Sequence, residues 1–327
     1  MSGFSDIIGH NEIKSLCLGA LASGRISHAY LFNGPSGVGK NTTAGVFAKS
    51  LLCFEPGKNG ACGVCRSCRQ YESGNHPNFH SLLPDGASIK IFQIRQLQEK
   101  VSLRPFQGTR QVFVIHHAHS MTKEAANSFL KVLEEPPAGV VFILLSDNPQ
   151  SMPTTVLSRC QQVNFKPLSN QEIIQGLKRM RGLRDEESRL PAALAGGSLG
   201  QALELLGNNT ERNELLSLVE KLDKAGAADI CFLAGELAGK EVDLQRLMDM
   251  LVYWYRDILM CKEGLHDLIV NSDYSVTINS KARDLTVRKI INNIKTVEKT
   301  KTKLTFHANA RLSLEALFFS LAGIGDK

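Results

Sequence analysis

Apolar positions in the first half of the chain follow two alternating patterns. Short, nearly continuous apolar runs stand at "HAYLF" (28–32), "QVFVI" (111–115), "VVFILL" (140–145) and "QQVNF" (161–165), and each predicts a strand. Helical spacing separates them, over Lys40–Leu52, 91–103 and 123–135. Strands that are apolar throughout and separated by helices predict an α/β domain, with a parallel sheet covered on both faces. "EEPPAG" (134–139) stops one helix and turns into the next strand. After "FKPLSN" (165–170) the strand pattern mostly vanishes. Ser169 followed by Glu172 is a capping box that opens a helix, and a small helical unit runs to about residue 206 with "AGGS" (195–198) as an internal turn. From "GNNT" (207–210) onward the pattern is helical, with one short extended piece expected near 274–278. The expected organisation is an α/β domain over 1–166, a small helical lid over 167–208 and a larger helical domain over 209–327. There is no internal repeat or low-complexity tract.

Composition adds limits rather than a direction. The 327 residues, 43% apolar and 21% charged, suit a water-soluble chain with more than one core. The start, "MSGFSDIIGHNEI", has no basic segment ahead of an apolar one, so no signal peptide is expected. The longest clean apolar run is far below the ~18 residues of a membrane span, and a cytoplasmic chain is expected. The net charge of +6 is uneven: 281–311 carries nine Lys/Arg against two Asp/Glu. Such a segment suits DNA, an acidic partner or a solvated helix face, and no interleaved aromatic residues point to base stacking.

"GPSGVGKNT" (34–42) satisfies G-x-x-x-x-G-K between a predicted strand and a predicted helix, the context that a phosphate-binding loop requires. Gly34, Gly37 and Gly39 let backbone N–H groups face a phosphate, the helix N-terminus adds positive potential, and Lys40 reaches the β/γ-phosphates. The usual Ser/Thr is replaced by Asn41. An amide is a poorer ligand for Mg²⁺ than the hydroxyl normally found there. Thr42 is one position out, about 100° around the helix.

Four of the eight cysteines cluster as Cys53, Cys62, Cys65 and Cys68 in "CFEPGKNGACGVCRSC". Two interlocked C-x2-C steps and one more thiol suit tetrahedral ligation, and in a cytosolic protein they favour structural Zn²⁺ over disulfides. An iron–sulfur cluster and unligated thiols are the alternatives. Cys17, Cys160, Cys231 and Cys261 read as ordinary buried thiols.

"IIGHNEI", "ISHAYLFNGPSGVGK", the four-Cys insert, "AANSFLKVLEEPP", "TTVLSRC" and the C-terminal "NARLSLEALFF" appear in that order. Together they resemble the delta-prime subunits of the bacterial DNA polymerase III clamp loader, within the AAA+ superfamily, over essentially the whole chain. The resemblance implies an AAA+ domain, a lid and a C-terminal collar. It also implies partners: motor gamma/tau-type and delta-type subunits in a five-subunit ring that uses ATP to place a sliding clamp on primed DNA. It implies too that the arginine of "SRC", here Arg159, enters a neighbour's ATP site, where a guanidinium stabilises charge on the transferring phosphoryl group. Without that motif company, Arg159 reads equally as a helix cap.

The resemblance places the acid pair of ATPase-active relatives at His116 and His117, in "RQVFVIHHAHSM" (110–121). A neutral imidazole does not replace an Asp that holds Mg²⁺ or a carboxylate that polarises water. Gly200 and Gln201 stand where the lid would offer an arginine, while Ser146 remains able to hydrogen-bond a γ-phosphate. A metal site from His116, His117 and His119 is the competing reading, but no third ligand accompanies His117 and His119. The expectation is a component of the polymerase III holoenzyme that binds ATP or phosphate at most and does not hydrolyse it. The alternatives are an active AAA+ motor ATPase and a zinc-dependent DNA-binding module.

Overall fold

The computed structural model describes residues 3–207, 215, 217–219, 221–222, 225–239, 243–306 and 308–324. It divides into two compact units, Met1–Gly176 with Gly197–Gly200, and Leu177–Gly196 with Gln201–Lys327.

The first unit is built on a five-stranded sheet. Its strands are β1 (Ala29–Asn33), β2 (Phe79–Leu82), β3 (Gln111–Ile115), β4 (Val140–Ser146) and β5 (Gln161–Asn164). Their order is β2-β3-β4-β1-β5, and every neighbouring pair is parallel. Parallel neighbours require crossovers, supplied by α2 (Lys40–Leu52), α3 (Arg66–Glu72), α4 (Ile91–Val101), α5 (Lys123–Glu134) and the short α6 (Thr154–Leu157), while α1 (Asn11–Ser23) precedes β1.

Side-chain alternation along the strands feeds two cores. Tyr30, Phe32, Val112, Val114, Val141 and Ile143 pack with Phe47 of α2 and Cys17 of α1. Leu31, Phe113, Ile115, Phe142 and Leu144 pack with Ile94 of α4 and Phe129 of α5. Burying each of these large side chains contributes about 1.5–3 kcal/mol, so β1, β3 and β4 are held from both faces. This is the expected α/β class, with the core where the apolar runs predicted it.

The predicted strands are all present, displaced by at most one residue at an end. β2 was not anticipated. After Leu168 the expected capping box forms: the Ser169 N–H donates to Glu172 Oε2 at 2.8 Å and the Glu172 N–H donates to Ser169 Oγ at 3.3 Å, opening α7 (Asn170–Arg181). The extended piece expected at 274–278 is a correction, since Ser272–Tyr274 is a 3-10 turn and Ser275–Asp284 an α-helix. Ile278 and Ala282, four residues apart, are buried on one helix face, and that burial overrides the β-branched composition. Cys231 is a second correction. It is only half-buried, unlike Cys17, Cys160 and Cys261.

The second unit is helical. Leu244–Lys262 packs on Val287–Thr305 and on Ser275–Asp284, and Ala227–Gly239 packs on Ala310–Ala322. Trp254, Met248, Leu251, Ile290, Val297 and Phe318 form its core. Apart from Gly207, the predicted "GNNT" boundary lies outside the described residues.

The parallel sheet fixes which groups can meet. Residues that follow strands gather at its C-terminal edge: the 34–39 loop after β1, His116 after β3 and Asp147 after β4. Arg159 precedes β5 and so lies at the opposite edge, about 15 Å away for strands of four to seven residues rising ~3.3 Å each.

Candidate phosphate-binding loop, cysteine cluster and paired arginine

β1 ends in the buried Asn33, and the chain then turns through three left-handed glycines, Gly34 (φ 146°), Gly37 (φ 72°) and Gly39 (φ 105°). A Cβ at Gly34 would lie 2.3 Å from the Phe165 carbonyl oxygen, so at that position no side chain fits as well as none being conformationally favoured. His10, from the "IIGHNEI" segment, donates Nε2–H to the Val38 carbonyl at 2.8 Å, and burial pulls its pKa down. Thr43 closes the first turn of α2 by donating to the Gly39 carbonyl at 2.9 Å. The predicted phosphate ligands are therefore assembled on one loop and one helix start.

Lys40 is folded back onto that loop. Its Nζ donates to the Gly34 carbonyl at 2.7 Å and the Pro35 carbonyl at 2.6 Å, and pairs with Asp147 Oδ1 at 2.6 Å with only 7% of its side chain exposed. Asn41 is exposed and Thr42 half-buried.

The histidines border this cluster. His117 sits in the left-handed region (φ 47°), with Nδ1 3.7 Å from Asp147 Oδ2. His119 Nδ1 is 3.3 Å from the Ser146 hydroxyl, and Ser146 is itself buried. His116 points elsewhere, to the Ser81 hydroxyl at 3.0 Å. His117 and His119 approach with ring centroids 5.8 Å apart. Burial lowers the pKa of His116 and His119, which keeps them neutral donors and acceptors rather than cations. Among the described residues, the four cysteines are the one group of three or more His, Cys, Asp or Glu side chains whose ligand atoms converge.

That convergence is compact enough for a single ion. All four Sγ atoms lie within 4.8 Å of one another. The Cys53–Cys65 and Cys62–Cys68 pairs stand at 4.0 and 3.9 Å, far beyond a disulfide and near the ~3.8 Å edge of a tetrahedron with ~2.3 Å metal–sulfur bonds. Backbone N–H groups of Cys62, Cys65 and Cys68 point at the sulfurs of Cys53, Cys62 and Cys65 at 3.3–3.4 Å, an arrangement that stabilises thiolates. The N–H groups of Val64 and Cys65 draw the Cys62 thiol down to about 6, while burial raises those of Cys53 and Cys68. The raised thiols of Cys53 and Cys68 need a cation to ionise beside the other two sulfurs, and these four residues could hold one metal ion.

Arg159 follows α6 and is paired within the chain. Nη2 meets Glu134 Oε1 at 2.7 Å, and Nη1 donates to the Thr155 carbonyl at 2.9 Å. Because it lies at the sheet edge opposite the 34–39 loop, it is out of reach of the phosphate position in its own chain.

Asp147, Glu134 and His10 were not singled out from the sequence as site residues. Asp147 directly follows the apolar run 140–145 and Ser146, a position at the C-terminal edge that was open to suspicion. Glu134 carried no comparable signal.

The sequence matches two family profiles, one described as DNA polymerase III, delta subunit, over residues 9–169, and one as DNA polymerase III, delta subunit, C terminal, over residues 201–322. It is 34% identical over 316 residues to the DNA polymerase III subunit delta' of Bacillus subtilis, covering 95% of each chain. It is 27% identical to the DNA polymerase III subunit tau of the same organism, covering 95% of this chain but 60% of that one. The DNA polymerase III subunit tau/gamma of Haemophilus influenzae is 32% identical, with 81% of this chain and 40% of that one covered. Among solved structures, a DNA polymerase III gamma subunit-related protein from Thermotoga maritima aligns with 94% of this chain and 98% of its own at a TM-score of 0.43 and 17% identity.

Proposed function

Because the chain belongs to the delta-prime family of DNA polymerase III subunits, we propose that it acts in a clamp loader without hydrolysing ATP itself, by placing Arg159 in the ATP site of a neighbouring subunit. The observation that carries the first half is the pair His116 and His117 at the end of β3, where a hydrolase of this type needs carboxylates for Mg²⁺ and water. Asn41 weakens the same magnesium site. The second half is supported by topology: a guanidinium at the far edge of the sheet has no phosphate of its own to serve. To act in trans, Arg159 must leave Glu134, exchanging a half-exposed ion pair for a phosphate oxyanion. Its planar fork suits either partner.

In this reading the other partners are motor gamma/tau-type and delta-type subunits in a five-membered ring that loads a sliding clamp onto primed DNA in the cytoplasm. The chain comprises an AAA+ domain (1–166), a lid (167–208) and a C-terminal collar (209–327) through which the subunits associate. The four cysteines hold a structural Zn²⁺, for which an all-sulfur donor set is suited. Four thiolates would fill the coordination shell of such a metal and leave no open position for substrate, so its role would be to hold the fold of the insert.

Two observations favour a second reading, an active motor subunit: the 34–42 loop keeps its glycines and Lys40, and tau/gamma proteins are among the relatives. Mg-ATP hydrolysis by the isolated chain, with Lys40→Ala as control, separates the two. Turnover equal to that of the control is expected. Turnover well above it would establish a motor and refute the proposal.

A further inference from the structure

The best-defined feature that the proposed function does not use is the closed ring of contacts around Lys40. An ammonium has three N–H donors and no more. Lys40 meets three oxygens at 2.6–2.7 Å, the carbonyls of Gly34 and Pro35 and the carboxylate of Asp147. It does so while almost fully buried, so none of its donors is left for a phosphate. The placement of Asp147 is not accidental to one rotamer. Asn33 and Ser146 are register partners on β1 and β4, and the Gly34 N–H donates to the Ser146 carbonyl at 3.3 Å. The residue after β4 is therefore held beside the first residue of the loop. The second carboxylate oxygen faces His117 Nδ1 at 3.7 Å. A carboxylate and a phosphate offer the same chemistry to Lys40, anionic oxygens that accept short, charge-assisted hydrogen bonds.

We propose that Asp147 stands in for a nucleotide's phosphate on the 34–40 loop, so that the side chain of Asp147 sets how weakly this chain binds nucleoside di- and triphosphates. It rests on the reading above, in which the loop has no turnover to support. An incoming phosphate must break the pair between the buried Lys40 and Asp147, whose side chain is 33% exposed, and then lie next to a displaced like charge, and both effects oppose binding. Removing the carboxylate frees one donor on Lys40 and abolishes the repulsion.

The test is calorimetric titration of the full-length chain with Mg-ADP and, separately, with pyrophosphate. The proteins compared are the wild type, Asp147→Asn, Asp147→Ala and the double variant Lys40→Ala/Asp147→Asn. Both single variants should bind at least tenfold more tightly than the wild type, and the double variant should lose that gain. Asn can still accept a hydrogen bond from Lys40, so Asp147→Ala should gain at least as much. Equal affinity in wild type and both single variants would overturn the inference, as would a gain that survives loss of Lys40. A gain for Mg-ADP without one for pyrophosphate would overturn the assignment to phosphate. None of these outcomes depends on hydrolysis. ATP turnover by the wild type would refute the proposed function while leaving the affinity comparison standing.

Discussion

At His76 the imidazole is nearly enclosed. Nδ1 accepts the Asn78 N–H at 3.1 Å, and Nε2 lies 2.9 Å from the Ser67 hydroxyl, which donates onward to the Leu52 carbonyl at 2.6 Å. Burial lowers its pKa, and burial does the same at His10, His80, His116 and His119. In the unfolded chain these groups take up protons near pH ~6.5, whereas the folded chain resists until a lower pH. Below about 6.5 the unfolded state thus binds more protons, and stability falls as pH falls. The melting temperature should drop between pH 7 and pH 5, and His76→Gln, referred to its own value at pH 7, should show a smaller drop. An identical drop would remove His76 from this account. Backbone geometry sets another residue-level expectation. Gly34→Ala meets both a left-handed φ and the fixed Phe165 carbonyl, and should cost about 2–4 kcal/mol in urea unfolding. At this scale the sequence revealed Lys40, the glycines and the four cysteines, because fixed spacing marks them. Asp147 and Glu134 stayed hidden because their roles come from strand register and from the meeting of α5 with α6, which no local spacing encodes.

Full burial made the central strands the easiest elements to read. β1, β3 and β4 are apolar on both faces and were found almost to the residue. β2 escaped because Phe79 and Leu82 flank His80 and Ser81 at a sheet edge, leaving no apolar run. The segment 274–278 was misread because its β-branched residues suggested a strand, while its burial follows the four-residue helical repeat. An element-level link also joins the thiolate cluster to a loop far along the chain. From α3, Ser67 contacts His76 and Gln70 Oε1 accepts from Gln107 Nε2 at 2.6 Å. The Asn78 side chain accepts the Phe106 N–H at 2.8 Å and donates to the Arg110 carbonyl at 3.1 Å. Metal analysis should give about one Zn²⁺ per chain. Chelation, or Cys65→Ser, should release amide protection in 53–72 and then in 103–110, with Val140–Ser146 unaffected, as read by hydrogen exchange. Metal-free protein with unchanged protection in both segments would contradict a structural metal.

Across the whole molecule the uneven charge takes on a plainer meaning. Within 281–311, Lys301 pairs with Asp249, Arg311 pairs with Glu315 at 2.9 Å, and Lys289 donates to the Ser320 carbonyl at 3.0 Å. Part of the positive charge thus serves the helical unit itself, and the isolated chain should bind DNA only at micromolar or weaker affinity at low salt, by fluorescence anisotropy. Tight, salt-sensitive binding would revive a DNA-binding role. The α/β and helical characters of the chain were legible because the strand pattern ends after residue 165, while the compact units divide between Gly176 and Leu177. The opposition of Arg159 and the 34–40 loop across the sheet was not, since it follows from the parallel strand order β2-β3-β4-β1-β5. That opposition is what makes a role in trans the central claim. It is tested most directly by the ATP turnover of the reconstituted clamp-loader complex carrying Arg159→Ala. Turnover should fall at least tenfold while the complex remains assembled, and an intact complex with an unchanged rate would contradict the account.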